Sequence, residues 1–165
     1  MNQESVNNFK VFMRDFYIQS LLLGQTLILF GLSEHYFCRF IGVNGPSMLP
    51  TIDSRDTLLY IDNFTTKFIR NPRKGEIIIA QNPFKQMGNT VVKRVLYLEN
   101  EYAEFYDVRE QKFQKVLVPP NHIWVEGDNK QNSRDSRTYG PVSLNQVIGI
   151  ARFKLWPFNQ IGRLQ

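Results

Sequence analysis

Residues 16–33 carry no charge, and eleven of those eighteen side chains are large and apolar. At ~1.5 Å per residue the helix this pattern predicts is about 27 Å long, close to the hydrocarbon thickness of a bilayer. Gln19, Thr26 and Ser33 recur every seven residues, as do Gly24 and Gly31, which keeps them near one helical face that could meet a partner helix. The same segment could span the membrane or lie along its interface, and composition leaves both open. Lys10 and Arg14 precede it, so the positive-inside tendency puts the N-terminus in the compartment of synthesis and the remainder across the membrane. No small-residue A-x-A-like site follows before Cys38, so the helix is expected to stay attached.

From Ile41 onward the period changes to short apolar or alternating runs: Thr57–Ile61, Glu76–Ala80, Val91–Leu98, Tyr102–Tyr106, Lys115–Val118, His122–Glu126 and Gln146–Ile150. Asn71-Pro72, Asn82-Pro83, Pro119-Pro120, Gly127-Asp128 and Gly140-Pro141 punctuate them. The expectation is a mainly β domain over residues 39–165, behind an N-terminal tail and single transmembrane or interfacial helix over 1–38. Arg152, Lys154 and Pro157 interrupt the last apolar run, which argues against a second span there.

A chain of 165 residues with 42% hydrophobic composition supports one core of ordinary size. The net charge of +5 would suit an anionic partner, but the basic residues are scattered. Their densest group, Lys67, Arg70, Arg73 and Lys74, fits a solvated loop edge or a lipid headgroup contact. No stacking-aromatic or recognition-helix pattern accompanies it, so nucleic acid is not an expected partner. One cysteine, Cys38, excludes an intrachain disulfide, and Cys38, His35 and His122 do not form a zinc-ligand set. Neither a metal nor another cofactor is expected.

Three stretches carry candidate chemistry. In Asn44-Gly45-Pro46-Ser47-Met48-Leu49-Pro50-Thr51, two prolines hold Ser47 in a stiff, non-helical segment suited to a nucleophile, with Met48 and Leu49 as apolar surface beside it. In the strand Val91–Tyr97, Lys93 shares a face with Val91, Val95 and Tyr97, whereas Arg94 points the other way with Val92 and Leu96. A lysine among apolar neighbours loses hydration of its charged form, and the neutral amine that results can take a proton from a serine. In Gly127–Pro141, an extended run would turn Ser133, Asp135 and Arg137 to one side, placing a hydroxyl beside an ion pair. Each stretch alone is also explained by an ordinary turn, a snorkelling lysine or a solvated loop.

Together and in this order, P-S-M-x-P-T, V-K-R-V and G-D-N-x-x-N-S-x-D-S-R resemble the boxes of type I signal peptidases, over roughly residues 41–158. The likeness is nearest to the mitochondrial inner-membrane branch, particularly its first catalytic subunit type, through Gly45, His122–Asn129 and Lys154-Leu155-Trp156-Pro157. The resemblance implies a coiled, mainly β catalytic domain and a serine endopeptidase removing presequences. It implies Ser47 as nucleophile and Lys93 as general base, with Ser133 orienting the lysine, Asp135 paired to Arg137 beneath it, and Asp128 meeting Arg94. Met48 would border the substrate groove. It further implies preprotein substrates, membrane lipid and a related second protease subunit as partners, at the mitochondrial inner membrane with the catalytic domain facing the intermembrane space. A bacterial plasma membrane is the alternative location.

One departure stands out: bacterial members often carry a serine two residues before the nucleophile as an oxyanion donor, and here that position is Gly45. Backbone N–H groups, including that of Ser47, would have to carry more of the task. A Ser-His-Asp triad would need His122, which lies in an apolar run and reads as structural. The competing reading from a different class is a catalytically silent β-domain serving as a membrane-anchored scaffold. Separation of Ser47 Oγ and Lys93 Nζ discriminates, since catalysis needs them within ~2.6–3.2 Å or slightly more.

Overall fold

An unbroken α-helix, α1, runs from Gln3 to Tyr36 in the computed structural model, which describes residues 3–82, 90–107 and 110–164. It outruns the charge-free stretch at both ends because no proline interrupts residues 3–36, and long polar side chains such as Lys10 and Arg14 are good helix formers. Within it, Asn8–Ser33 is long and apolar enough to cross a membrane. The hydroxyls of Ser20, Thr26 and Ser33 each donate at 2.8 Å to the carbonyl three residues earlier, those of Tyr17, Leu23 and Phe30. Two members of the seven-residue polar stripe are thereby satisfied inside their own helix, which lowers the cost of placing them in an apolar medium.

The chain divides into two units, Met1–Phe37 and Cys38–Gln165. The second is built on one eight-stranded antiparallel sheet with β1 (Cys38–Val43), β2 (Thr57–Asp62), β3 (Ile77–Gln81), β4 (Thr90–Tyr97), β7 (His122–Glu126), β8 (Val142–Ser143), β9 (Val147–Trp156) and β10 (Gly162–Arg163). The spatial order is β1-β2-β9-β3-β4-β7-β8, with β10 beside β9. Register shifts in the β2/β9, β3/β9 and β4/β7 pairs add local twist and curl the sheet. A separate hairpin joins β5 (Tyr102–Asp107) to β6 (Lys112–Leu117).

Strand β3 explains why its sequence is a continuous apolar run. Ile77 and Ile79 pack with Met48, Ile52, Leu59, Ile61 and Ala151 on one face, while Ile78 and Ala80 pack with Val95, Ile123, Val125 and Ile150 on the other. Both faces of this central strand are covered, so alternation disappears. A third cluster, Ala103, Phe105, Val118 and Trp124, seats the hairpin, with Phe105 and Trp124 ring centroids 4.9 Å apart.

Three strand limits differ from the sequence expectation. Strand β1 starts at Cys38, and β6 starts at Lys112 because pairing with Asp107 of β5 fixes its register. Strand β9 continues to Trp156 because the charges that interrupt its apolar run are absorbed by partners. Arg152 reaches Asp62 at 3.1 Å and Glu76 at 3.0 Å, and Lys154 donates to Gln160 at 2.6 Å. Arg70 also binds Glu76, at 2.7 and 3.0 Å, so part of the basic cluster is pinned inward. Burial alone would raise the Glu76 carboxyl, but Arg70, the Arg73 N–H and Arg152 outweigh it and hold it at about 2. Of the expected breaks, Pro83 lies outside the described residues.

Candidate active site

Ser47 sits in a single 3-10 turn, Pro46–Met48, directly after β1. Pro46 suits the first position of that turn because its missing N–H would have no intrahelical partner. Gly45 before it has φ 125° and ψ 152°, a conformation open essentially to glycine alone. A Cβ on Gly45 would meet nothing within 4 Å, so backbone conformation, rather than the close approach of another backbone, demands glycine here. The position that could have held a hydroxyl donor is thus committed to shaping the turn. The loop is tied down by Gly45 N–H to Ser54 O at 2.8 Å, Asp56 N–H to Asn44 Oδ1 at 2.6 Å and Ile52 N–H to Met48 O at 2.9 Å. Met48 lines the cleft, yet it is only 3% exposed and anchors the turn in the core.

Strand β4 delivers Lys93 to the same point. Its Nζ lies 2.9 Å from Ser47 Oγ and donates to Val92 O at 3.0 Å. Val91 and Val95 flank it on its face of the sheet, as strand alternation requires, and Lys93 is 4% exposed. Burial drives the amine toward its neutral form; Asp135 and Asp128 pull the other way, and the net result is a lowered pKa. Arg94, on the opposite face, grips Asp128 in a two-pronged pair at 2.8 and 2.7 Å and donates to Gly75 O at 2.8 Å.

The segment after β7 closes the site from behind. Asp135 is fully buried and accepts from Gly127 N–H at 3.0 Å and from Arg137 Nε and Nη2, each at 2.8 Å. Burial pushes its carboxyl up, but Arg137, the Ser133 hydroxyl and the Gly127 N–H outweigh that and hold it below the usual range. The backbone is extended at Ser133 and Asp135 but not through Arg137. Asp135 caps a short helix, α2 (Ser136–Tyr139), and turns back on Arg137, so the ion pair is local rather than a product of strand alternation. Ser133 Oγ is buried beside Gly127 and is one of the groups that stabilise the Asp135 carboxylate. A Cβ on Gly127 would overlap both that hydroxyl and the Ser47 carbonyl, which explains glycine at this position.

Two residues of the quoted motifs acquire roles that their spelling did not reveal. Thr51 donates to Asp128 at 2.6 Å, and Asn129 holds the serine turn with its backbone N–H on Ser47 O at 3.0 Å and its Nδ2 on Pro46 O at 3.1 Å. Asparagine immediately beyond a strand end is a common loop former, so sequence alone gave it no distinct signal.

Ser47 and Lys93 open onto a cleft of about 550 Å³, bounded on one side by Gly42, Val43 and Asn44 and on the other by Thr90, Val91 and Val92. Among the described residues β1 pairs only with β2, and β7 pairs with β4 only from Arg94 onward, so among these residues both walls present strand edges without a partner strand to the cleft. A hydroxyl, a dehydrated amine and two free edges are the parts needed to bind an extended peptide and attack its carbonyl.

The family model described as "Signal peptidase, peptidase S26" matches residues 97–156, a range that includes Asp128–Arg137 but neither Ser47 nor Lys93. Mitochondrial inner membrane protease subunit 1 of Xenopus tropicalis is 37% identical over 154 residues, covering 87% of this chain and 90% of that protein. The mouse protein of the same name is 34% identical, covering 87% and 91%. Subunit 2 from Schizosaccharomyces pombe is 32% identical over 127 residues, covering 74% and 67%. A crystal structure of a signal peptidase I from Enterococcus faecalis aligns with 49% of this chain and 97% of that chain, at 24% identity and a TM-score of 0.40.

Proposed function

The chain belongs to the signal peptidase family, peptidase S26, and from that premise we propose that it is a membrane-bound serine endopeptidase removing presequences through Ser47 and Lys93. The observation that carries this reading is the 2.9 Å separation of Ser47 Oγ and buried Lys93 Nζ, within the reach that proton transfer needs. It favours the peptidase over the silent scaffold, which has no use for a dehydrated amine against a hydroxyl.

An extended preprotein segment enters between β1 and β4 and completes their free edges. Neutral Lys93 takes the Ser47 proton as Oγ attacks the scissile carbonyl. The Ser47 N–H, one of the first donors of its turn and without an intrahelical partner, faces the charge that develops on the carbonyl oxygen. Lys93 then returns its proton to the leaving amine, releasing the new N-terminus and leaving an acyl ester on Ser47. A water deprotonated by Lys93 hydrolyses that ester. Val92 O fixes the amine through one N–H, and in this reading the Ser133 hydroxyl steadies it once Ser47 has turned to substrate. Asp135 with Arg137, and Arg94 with Asp128, hold the surrounding loops.

Residues 8–33 span the mitochondrial inner membrane in this reading, with Lys10 and Arg14 on the matrix side and the catalytic unit in the intermembrane space. A related second subunit is the expected partner, consistent with the subunit names of the relatives. The test replaces the native chain by full-length Ser47→Ala or Lys93→Met and sequences the N-termini of membrane and intermembrane-space proteins. Precursors are expected to retain their presequences in both cases. Normal processing with either variant overturns the proposal.

A further inference from the structure

Asn129 bonds two successive carbonyls of the serine turn, Ser47 O through its backbone N–H and Pro46 O through Nδ2 at 3.1 Å, sharing the Pro46 carbonyl with the longer bond from Leu49 N–H at 3.3 Å. Neither peptide bond of that turn, Pro46–Ser47 or Ser47–Met48, is cis. In a planar trans peptide the N–H points opposite to the C=O. Holding the Pro46 and Ser47 carbonyls against Asn129 therefore sends the Ser47 and Met48 N–H groups away from it. Gly45, Pro46, Ser47 and Met48 line the cleft, as do Asn132 and Arg134 further along the Asn129 segment, whereas Asn129 itself does not. Gly45 supplies no hydroxyl, so the direction of these N–H groups decides how well the site can meet an oxyanion.

Accordingly, we infer that Asn129 is a positioning residue: its side-chain amide clamps the Pro46 carbonyl and so aims the Ser47 N–H at the developing oxyanion. A donor on a carbonyl also polarises the peptide and strengthens the N–H at its other end. The arrangement answers, in part, how a turn with glycine two residues before the nucleophile recovers what a hydroxyl would supply. Gly127 takes part by letting the 127–129 backbone come against Ser47 O, and Asp128, locked by Arg94 and Thr51, fixes the residue between them.

The inference rests on the Ser47/Lys93 reading, and its test separates the two. Asn129→Leu keeps size and neutrality, and the backbone N–H to Ser47 O, but removes the Nδ2 donor. Asn129→Ala is the second variant. Each is measured in the full-length, membrane-embedded protein, on a precursor that the wild-type chain cuts. The expected result is a fall in kcat of roughly tenfold to a hundredfold, with KM within about twofold, since the lost contact matters only once charge develops. The midpoint of the pH–rate profile stays in place, because no contact of Lys93 has changed. A peptide aldehyde, which forms a tetrahedral adduct on Ser47, should weaken in step with kcat. Unchanged kcat in Asn129→Leu overturns the inference, as does a moved pH midpoint, which would mean that Asn129 acts through Lys93. If Ser47→Ala or Lys93→Met, run in parallel, retains turnover, it is the dyad itself that fails.

Discussion

Removing Arg94 and Asp128 together is expected to damage the catalytic unit less than the sum of the two single removals. Their side chains are 20% and 16% exposed and joined by two hydrogen bonds of 2.8 and 2.7 Å. Breaking a fully buried pair costs ~3–5 kcal/mol, and an exposed one ~0–1 kcal/mol. This pair lies between those limits but nearer the buried one, so Arg94→Met is expected to cost about 2 kcal/mol, with Asp128 left to Thr51 alone. For a unit of this size that lowers Tm on the order of 8 °C. Asp128→Leu with Arg94→Met removes both charges, and the double variant should recover about 1 kcal/mol relative to the sum of the two single losses. Melting of the four full-length proteins in detergent, followed by tryptophan fluorescence, reads out the cycle. The pair holds the Asp128 carboxyl low, because Arg94 and Thr51 outweigh the upward push of burial. Its stabilisation is therefore present above the ordinary carboxylate pKa and fades as pH falls through the folded value, so wild type and Arg94→Met should converge in acid. Single losses that simply add, or a gap that is constant with pH, would refute the reasoning.

Gly127→Ala forces a Cβ into the Ser47 carbonyl and the Ser133 side chain, so kcat should fall by about a hundredfold, and activity within tenfold of wild type would contradict the crowding. Glu76, held at about 2 by Arg70, the Arg73 N–H and Arg152, contributes stability above the ordinary carboxylate value that is lost as pH falls toward 2. Glu76→Gln should therefore melt lower than wild type at neutral pH, by about 2 kcal/mol, and match it in strong acid, as a pH series of thermal melts would record.

Local patterns in the sequence carried the strands well, because alternation and turn formers are properties of neighbours. The apolar run of β3 and the lysine face of β4 are cases where the written pattern and the packing agree. The sequence pattern failed where distant partners decide the outcome. Arg152 and Lys154 look like the end of a strand until Asp62, Glu76 and Gln160 are beside them. Asp135 and Arg137 look like one face of an extended segment until Asp135 caps α2. Gly45 and Gly127 were both spelled out in recognisable motifs, yet only the backbone distinguishes them: the first is required by its φ, the second by crowding against Ser47. The grip of Asn129 on Pro46 joins residues 83 positions apart, and nothing in either motif announces it.

The central claim is that Lys93 works as a neutral base, and the dependence of kcat on pH tests it most directly. Below its pKa the amine is an ammonium and cannot accept the Ser47 proton, so the rate must rise with pH through that pKa. Burial lowers the value, and the rising limb is expected below the ordinary lysine value of ~10.4. A kcat that does not change with pH, or a limb centred on the ordinary lysine value, would contradict the account.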